Sequence, residues 1–505
     1  MNKRAFYQNT VLMTTCSLLL RLFGILFRIL ISKRVGAEGM GLYQLVYSVY
    51  VLGSTFAVSG LTTAVTRLVA ERLTVQDQSG VNRLMRLCYR ISLLVGACSA
   101  LALYAAAPLI GRWVGDTRAV SAISLCGIAL PFIGVAGCIK GYFLARRKAW
   151  QPCLSQMFEQ AVRIGSILWM LRVLWDGSLA QACTIIILGD ALSETVACLY
   201  LLYSYRRDRK QTATASDNDA HRSGGYLRPL LHIALPLTAG RYLTTALRTI
   251  ENILVPSCLS AYTRSDSLAL AQFGAVKGMA LPLVFFPSAL LMTVSGLLIP
   301  ELSDAHALKH RRQVARLTEI TLHTTLLGAI FIGGLFTIMG QELGAVLYND
   351  DTVGLILLIL GPLTPIMYLD SVVSGMLKGL GQQVHSLWFS AADSVIRIAL
   401  IRLLLPCYGL IGFLFIMLVS NLLTCTLSTG RLLSVSRARI RWMRWCILPT
   451  VAASISSAVC SLIPLVDIPY LLCGSIVYTA VYSVLILVFR CFNREDWQQF
   501  TARKT

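Results

Sequence analysis

Stretches of roughly 20 apolar residues, each about long enough to cross a ~30 Å hydrocarbon core, recur from one end of this chain to the other. About fourteen can be counted by hydropathy, the first centred near Leu20 and the last near Tyr482. The bulk numbers agree: 56% of residues are hydrophobic and 14% charged, and the mean hydropathy is +0.68, above the range of soluble domains. The sequence therefore predicts an all-α polytopic membrane protein with about 14 transmembrane helices.

The formal charge of +21 over 505 residues would suggest nucleic acid in a soluble protein. Here its position along the chain matters more. Basic clusters fall at Lys3 and Arg4, Arg67 to Arg90, Lys140 to Lys148, Arg206 to Arg228, Lys309 to Arg316, Arg431 to Arg444 and Arg490 to Lys504, in every second gap between spans and at both termini. The intervening gaps hold few cations, and QELGAVLYNDDT (341–352) is acidic. Under the positive-inside rule the basic side is the cytosol, so both termini are expected there. Nucleic acid is not an expected partner, whereas membrane lipids are. The 15 cysteines lie mostly in apolar spans without a CxxC pair and read as small core residues rather than metal ligands. The first apolar run is too long for a signal peptide.

Charges inside the spans reveal a repeat. Span 1 contains RLFGILFR, with Arg21 and Arg28 seven apart; span 7 contains RYLTTALR, with Arg241 and Arg248 seven apart. Span 5 carries Glu159 four residues before Arg163, and span 11 carries Asp393 four before Arg397. Lys140-Gly141 and Lys378-Gly379 precede these pairs. The expected organisation is an N-terminal lobe over 1–205 (six spans), a cytosolic polar linker over 206–226, a C-terminal lobe over 227–435 (six spans), and two final spans with a cytosolic tail over 436–505. Both lobes enter the membrane from the same side, which relates them by an axis along the membrane normal. Transporters of this kind hold substrate between such halves.

On a 3.6-residue helix, positions seven apart share one stripe. Thr14, Ser17, Arg21, Gly24 and Arg28 form such a stripe in span 1, and Thr238, Arg241, Thr245, Arg248 and Asn252 in span 7, with Glu251 beside it. A charge near mid-bilayer costs roughly 2.5–3.5 kcal/mol on insertion scales. The expectation is that these stripes line a wet cavity in which guanidinium groups grip phosphate oxygens, making Arg21, Arg28, Arg241, Arg248 and Glu251 the candidate substrate-binding residues. The alternatives are that Arg28 snorkels to the headgroups and that Glu251 neutralises Arg248. Glu159 with Arg163, and Asp393 with Arg397, are expected as intramembrane charge pairs that neutralise one another. Asp190, Glu194, Lys277 and Asp370 are candidates for coupling to protons or sodium. Pro236, Pro282, Pro287, Pro362 and Pro365 predict kinked or broken helices. No Walker loop, GxSxG or HExxH occurs, so neither an enzyme nor a cofactor or metal is expected. His306 and His310 in HALKH lack an intervening glutamate and read as a surface pair.

The segments RLFGILFR, GLTTAVTRLVAE (60–71), KGYFLARRKAWQPCLSQMFEQAVRI (140–164), ALPLTAGRYLTTALRTIENILVP (234–256), GMALPLVFFPSALLMTVSGLLIPELSDA (278–305) and PIMYLDSVVSGMLKGLGQQ (365–383) resemble the stage V sporulation protein B family. That family sits in the polysaccharide transporter branch of the multidrug/oligosaccharidyl-lipid/polysaccharide (MOP) exporter superfamily. The resemblance implies two pseudo-symmetric six-helix lobes forming a V, plus two C-terminal helices. It implies alternating access and a lipid-linked sugar diphosphate substrate, flipped across the membrane for cell-wall, spore-cortex or polysaccharide assembly by a monomeric transporter. Lipid II flippases, more distant in this resemblance, match at Arg21 and Gly24, but their second arginine comes one residue before Arg28. The alternative within the superfamily is a cation-coupled multidrug exporter, which should favour acids and aromatics in its cavity. A membrane glycosyltransferase or polymerase is disfavoured by the lack of a large extracytosolic loop with clustered acids or histidines.

Overall fold

The computed structural model describes residues 3–213, 226–463 and 467–491. Among them there are helices and turns, and no strand. In chain order the helices are α1 (Lys3–Thr74), α2 (Gln78–Val114), α3 (Ala119–Cys126), α4 (Leu130–Ala145), α5 (Trp150–Val173), α6 (Leu179–Ala213), α7 (Leu227–Thr263), α8 (Asp266–Phe273), α9 (Leu281–Phe285), α10 (Ser288–Ala307), α11 (Arg311–Tyr348), α12 (Asp351–Leu360), α13 (Thr364–Gly379), α14 (Gln383–Ser436), α15 (Leu448–Cys460) and α16 (Asp467–Val488).

Nine helical segments among the described residues are long and apolar enough to cross a membrane, or ten if α12 and α13, bent by 64°, count as one span. The chain is thus a multi-pass membrane protein, with the expected count of about fourteen left unconfirmed. Two things separate the numbers. The 72 residues of α1 and the 54 of α14 would run about 108 and 81 Å at ~1.5 Å per residue, far beyond a single crossing, and each breaks at a glycine with positive φ, Gly36 (φ 72) and Gly409 (φ 56). Helices α5 and α7, which hold the charged motifs, are not among the qualifying nine. Four of the five prolines fall at a helix start or bend, and Pro236 lies within a continuous helix, α7. Pro282 and Pro365 fall at the first positions of α9 and α13, Pro287 precedes α10, and Pro362 sits in the bend before α13. Residues 206–213 of the expected linker continue α6, whereas 214–225 and 492–505 lie outside the described residues.

The chain divides into two compact units, Met1–Phe27 with Glu38–Ser257, and Arg28–Ala37 with Cys258–Thr505. Most of α7 therefore groups with the first unit rather than starting the second, and specific contacts explain why. The Gly60 N–H donates to Thr238 Oγ1 at 3.0 Å, Thr249 Oγ1 donates to the Ser48 carbonyl at 3.1 Å, and the Phe56 and Tyr242 rings meet edge to face at 5.7 Å. The core of the first unit is built from Val65, Val69, Leu84, Met85, Ile139 and Phe143. In the second unit α11 is the hub, packing on α10, α12, α13, α15 and α16. There Tyr482 of α16 donates to the Leu327 carbonyl at 3.0 Å.

The Lys-Gly repeat has a structural meaning in each unit. A Cβ on Gly141 would lie 2.7 Å from the Thr62 carbonyl oxygen, and one on Gly379 would lie 2.8 Å from Ile299 Cγ2. Each glycine carbonyl also accepts a hydroxyl bond, from Thr66 Oγ1 to Gly141 at 3.2 Å and from Ser303 Oγ to Gly379 at 2.7 Å. Lipid tails are as apolar as leucine, so close helix approach and interhelical hydrogen bonds, rather than burial from water, hold such contacts together. Both glycines thus serve close approach of a neighbouring helix, against a main-chain carbonyl at Gly141 and a side-chain methyl at Gly379.

Candidate functional site

Helix α5 presents Glu159 and Arg163 one turn apart, and the guanidinium joins them at 3.0 Å. Helix α6 packs alongside α5 and brings in Asp190, whose Oδ1 is 2.9 Å from Arg163 Nε, and Glu194, at 4.0 Å from the same guanidinium. Lys140 in the second half of α4 reaches Glu159 at 3.9 Å. From α1, Tyr43 donates to Asp190 Oδ2 at 3.4 Å. Tyr50, 7% exposed, brings a hydroxyl with no hydrogen-bond partner among the described residues into electrostatic range of Glu194, Asp190 and Arg163. The side chains of Asp190, Glu159, Glu194 and Arg163 are 4, 13, 15 and 21% exposed, so the cluster has little water to share its charges with.

Two cations face three carboxylates, so the fully ionised cluster carries one negative charge too many for a low-dielectric interior. Taking up a single proton or monovalent cation would balance it. The expected pair Glu159–Arg163 and the expected coupling residues Asp190 and Glu194 thus belong to one network. Lys140, noted only as part of the Lys-Gly motif, and Tyr43 and Tyr50 also belong to it. The tyrosines had a signal: Tyr43, Tyr47 and Tyr50 in LYQLVYSVY follow the 4 and 3 spacing of one helix face.

The corresponding residues of the second unit are arranged differently. Asp393 of α14 is buried and accepts from Ser420 Oγ at 2.5 Å. Arg397, one turn on, is half-buried, as is Asp370 on α13. Lys277 lies in a wide i→i+5 turn between α8 and α9, with its ammonium 5.9 Å from the centre of the Phe413 ring.

The arginine stripes are of another kind. Arg21 on α1 and Arg241 and Arg248 on α7 are exposed, Arg28 is half-buried, and among the described residues none of the four is in an ion pair. Arg248 is therefore not neutralised by Glu251, which is itself 2% exposed. Thr238, at the head of the α7 stripe, is committed to the Gly60 contact, and Thr245 to the Arg241 carbonyl at 2.8 Å. Among the described residues no group of His, Cys, Asp and Glu could hold a metal ion.

Residues 6–306 match the model of a family described as polysaccharide biosynthesis protein. Stage V sporulation protein B of Bacillus subtilis (strain 168) is 22% identical over 509 residues, covering 98% of this chain and 98% of that protein. Lipid II flippase MurJ of the same organism is 21% identical over 422 residues, 78% of this chain and 76% of that protein. Among solved structures, lipid II flippase MurJ in an inward closed conformation superposes with a TM-score of 0.75 at 14% identity, covering 95% of this chain and 98% of that one. An inward-facing MATE family multidrug resistance transporter of the MOP superfamily gives 0.67 at 13% identity, over 83% and 96%. With more than half of its length matched by the family model, this chain belongs to the polysaccharide biosynthesis protein family, and its fold is the one seen in those MurJ and MATE structures.

Proposed function

We propose that this protein flips a polyprenyl-diphosphate-linked oligosaccharide or peptidoglycan precursor across the bacterial cytoplasmic membrane by alternating access, as a monomer with both termini in the cytosol. One observation carries the reading: Arg21, Arg241 and Arg248 are exposed on helices of a membrane protein, and among the described residues no acid is paired to them. Each costs roughly 2.5–3.5 kcal/mol in lipid, a cost removed if the stripe borders water and meets an anion in transit. A diphosphate concentrates negative charge that must cross a low-dielectric barrier, and guanidinium groups compensate it bidentately, replacing water. Arg28, half-buried, extends the α1 stripe, whereas Glu251 lies buried beside the α7 one. The sugar diphosphate follows the arginines while the greasy chain stays in lipid. The apolar cavity of about 530 Å³ within the second unit, lined by Leu326, Ile330, Ile366 and Trp445 among others, offers that chain a surface.

The buried network of Lys140, Glu159, Arg163, Asp190 and Glu194 supports a second reading, a cation-coupled multidrug exporter, since a surplus carboxyl suits exchange of a proton or sodium ion. Transport of a cationic dye separates the two. An exporter keeps dye flux in Arg21→Ala and Arg241→Ala, whereas the flippase reading predicts no dye flux in the wild type and leaflet exchange of the diphosphate that depends on both arginines. Purified protein that extends or cleaves the glycan would overturn both readings.

A further inference from the structure

Within the second unit, two turns and a helix start converge on one cavity. Lys309 (φ 58) follows α10 and Arg437 (φ 55) follows α14, both left-handed, and α11 begins at Arg311. The space between them, about 580 Å³, is lined by His306, Lys309, Arg311, Ser434, Ser436 and Arg437, with no carboxylate among the lining residues. The last carbonyls of the two helices are met by main-chain donors, His310 N–H to Ala305 and Arg437 N–H to Leu433, so the basic side chains are not needed as caps. Among the described residues none of His306, Lys309, Arg311 and Arg437 is in an ion pair. Glu319, about two turns further along α11, accepts from the Arg439 N–H at 2.9 Å.

The positive-inside rule asks only that cations lie on one side of the membrane. It does not ask that three of them, an imidazole and two hydroxyls surround one hollow, where they repel one another unless an anion sits among them. We propose that this cavity is a binding site for a phosphate-bearing anion, with Lys309, Arg311 and Arg437 as its charged ligands and the Ser436 hydroxyl, which accepts from the Ala438 N–H at 3.3 Å and keeps its own proton to donate, as a neutral one. Its volume falls among small-molecule sites of roughly 300–1,000 Å³, room for a diphosphate rather than a lone phosphate. A soluble diphosphate and the headgroup of an anionic lipid supply the same chemistry. The site uses none of the arginines assigned to the transport path, so it stands or falls apart from that reading.

The test is pyrophosphate titration of the full-length protein in phosphatidylcholine nanodiscs, followed by thermal shift against chloride at equal ionic strength. The expected result is saturable stabilisation, weakened at least tenfold in Lys309→Gln/Arg437→Gln, retained within about threefold in Arg311→Lys, and unchanged in Arg206→Gln/Arg207→Gln. If phosphatidylglycerol competes with pyrophosphate in the wild type but not in the double variant, the headgroup is the occupant. Absence of saturable binding in both lipids overturns the proposal, as does equal binding by a double variant that unfolds at the wild-type temperature.

Discussion

Replacing Arg163 by Gln removes the one cation that touches three carboxylates, Asp190 at 2.9 Å, Glu159 at 3.0 Å and Glu194 at 4.0 Å. Lys140, 3.9 Å from Glu159, is then the only cation left in the cluster among the described residues, and the Asp190 carboxylate loses its ion pair while the Tyr43 hydroxyl still donates to it. Breaking a buried pair in this way costs about 3–5 kcal/mol, whereas interhelical hydrogen bonds in membranes average about 0.6 kcal/mol. The effect should therefore stand clear of an ordinary polar contact. Asp190→Asn leaves Arg163 its Glu159 partner and should cost less, about 1–3 kcal/mol. Combining the two removes one charge of each sign, so the double variant should be more stable than the sum of the single losses implies, by about 1–3 kcal/mol. Denaturation of the full-length protein in detergent, followed by tryptophan fluorescence, measures all four corners of this cycle. Single losses that add within about 0.5 kcal/mol would show that the guanidinium and the α6 carboxylate do not share one network, and the assignment of the cluster would fail.

Two further predictions concern helix contacts. Gly141→Val and Gly379→Val should each destabilise the protein by more than about 2 kcal/mol, because the new Cβ would meet the Thr62 carbonyl at 2.7 Å or Ile299 Cγ2 at 2.8 Å and overpacking typically costs about 1–3 kcal/mol; wild-type thermal stability in both would refute the shared device. Asp77 caps α2 through the Gly80 N–H at 2.7 Å and pairs with Arg72 at 3.2 Å. Burial pushes its carboxyl up, but the bonds from Gly80 and Ser79 and the Arg72 and Arg83 charges outweigh this and hold it below its ordinary value. Its stabilisation is thus complete above the unfolded carboxylate value near ~3.9 and lost as pH falls through the lower folded one. Asp77→Ala should cost about 1 kcal/mol at pH 7, with the difference from wild type closing below pH ~3.9; a gap that persists in acid would contradict the assignment.

Much of this architecture was legible in the sequence because membrane proteins write it in charge. The spacing of Arg21 with Arg28 and of Arg241 with Arg248, and the order of Lys-Gly before an acid and arginine pair, predicted a repeat, and Gly141 and Gly379 now have matching surroundings. Periodicity along one helix cannot report which helix lies beside it. That is why Glu159 and Arg163 looked self-contained, although Asp190 is the nearer carboxylate, and why Tyr43, Tyr50 and Lys140 were not joined to them. Hydropathy likewise counts apolar windows rather than helices, so α1 and α14 run through two windows each and bend only where Gly36 and Gly409 allow it. The Thr238 hydroxyl fitted a cavity stripe by spacing but is taken by the Gly60 contact. A hydroxyl serves helix packing as readily as substrate, and sequence spacing does not distinguish the two.

The most direct measurement is leaflet exchange of a polyprenyl-diphosphate-linked glycan in vesicles containing the purified protein, with and without a membrane potential. The account predicts flux in the wild type, partial flux in Arg21→Lys, and none in Arg21→Glu or Arg241→Glu, although both insert normally. Wild-type exchange by the two glutamate variants would contradict it, because a negative charge on the stripe cannot accompany a diphosphate.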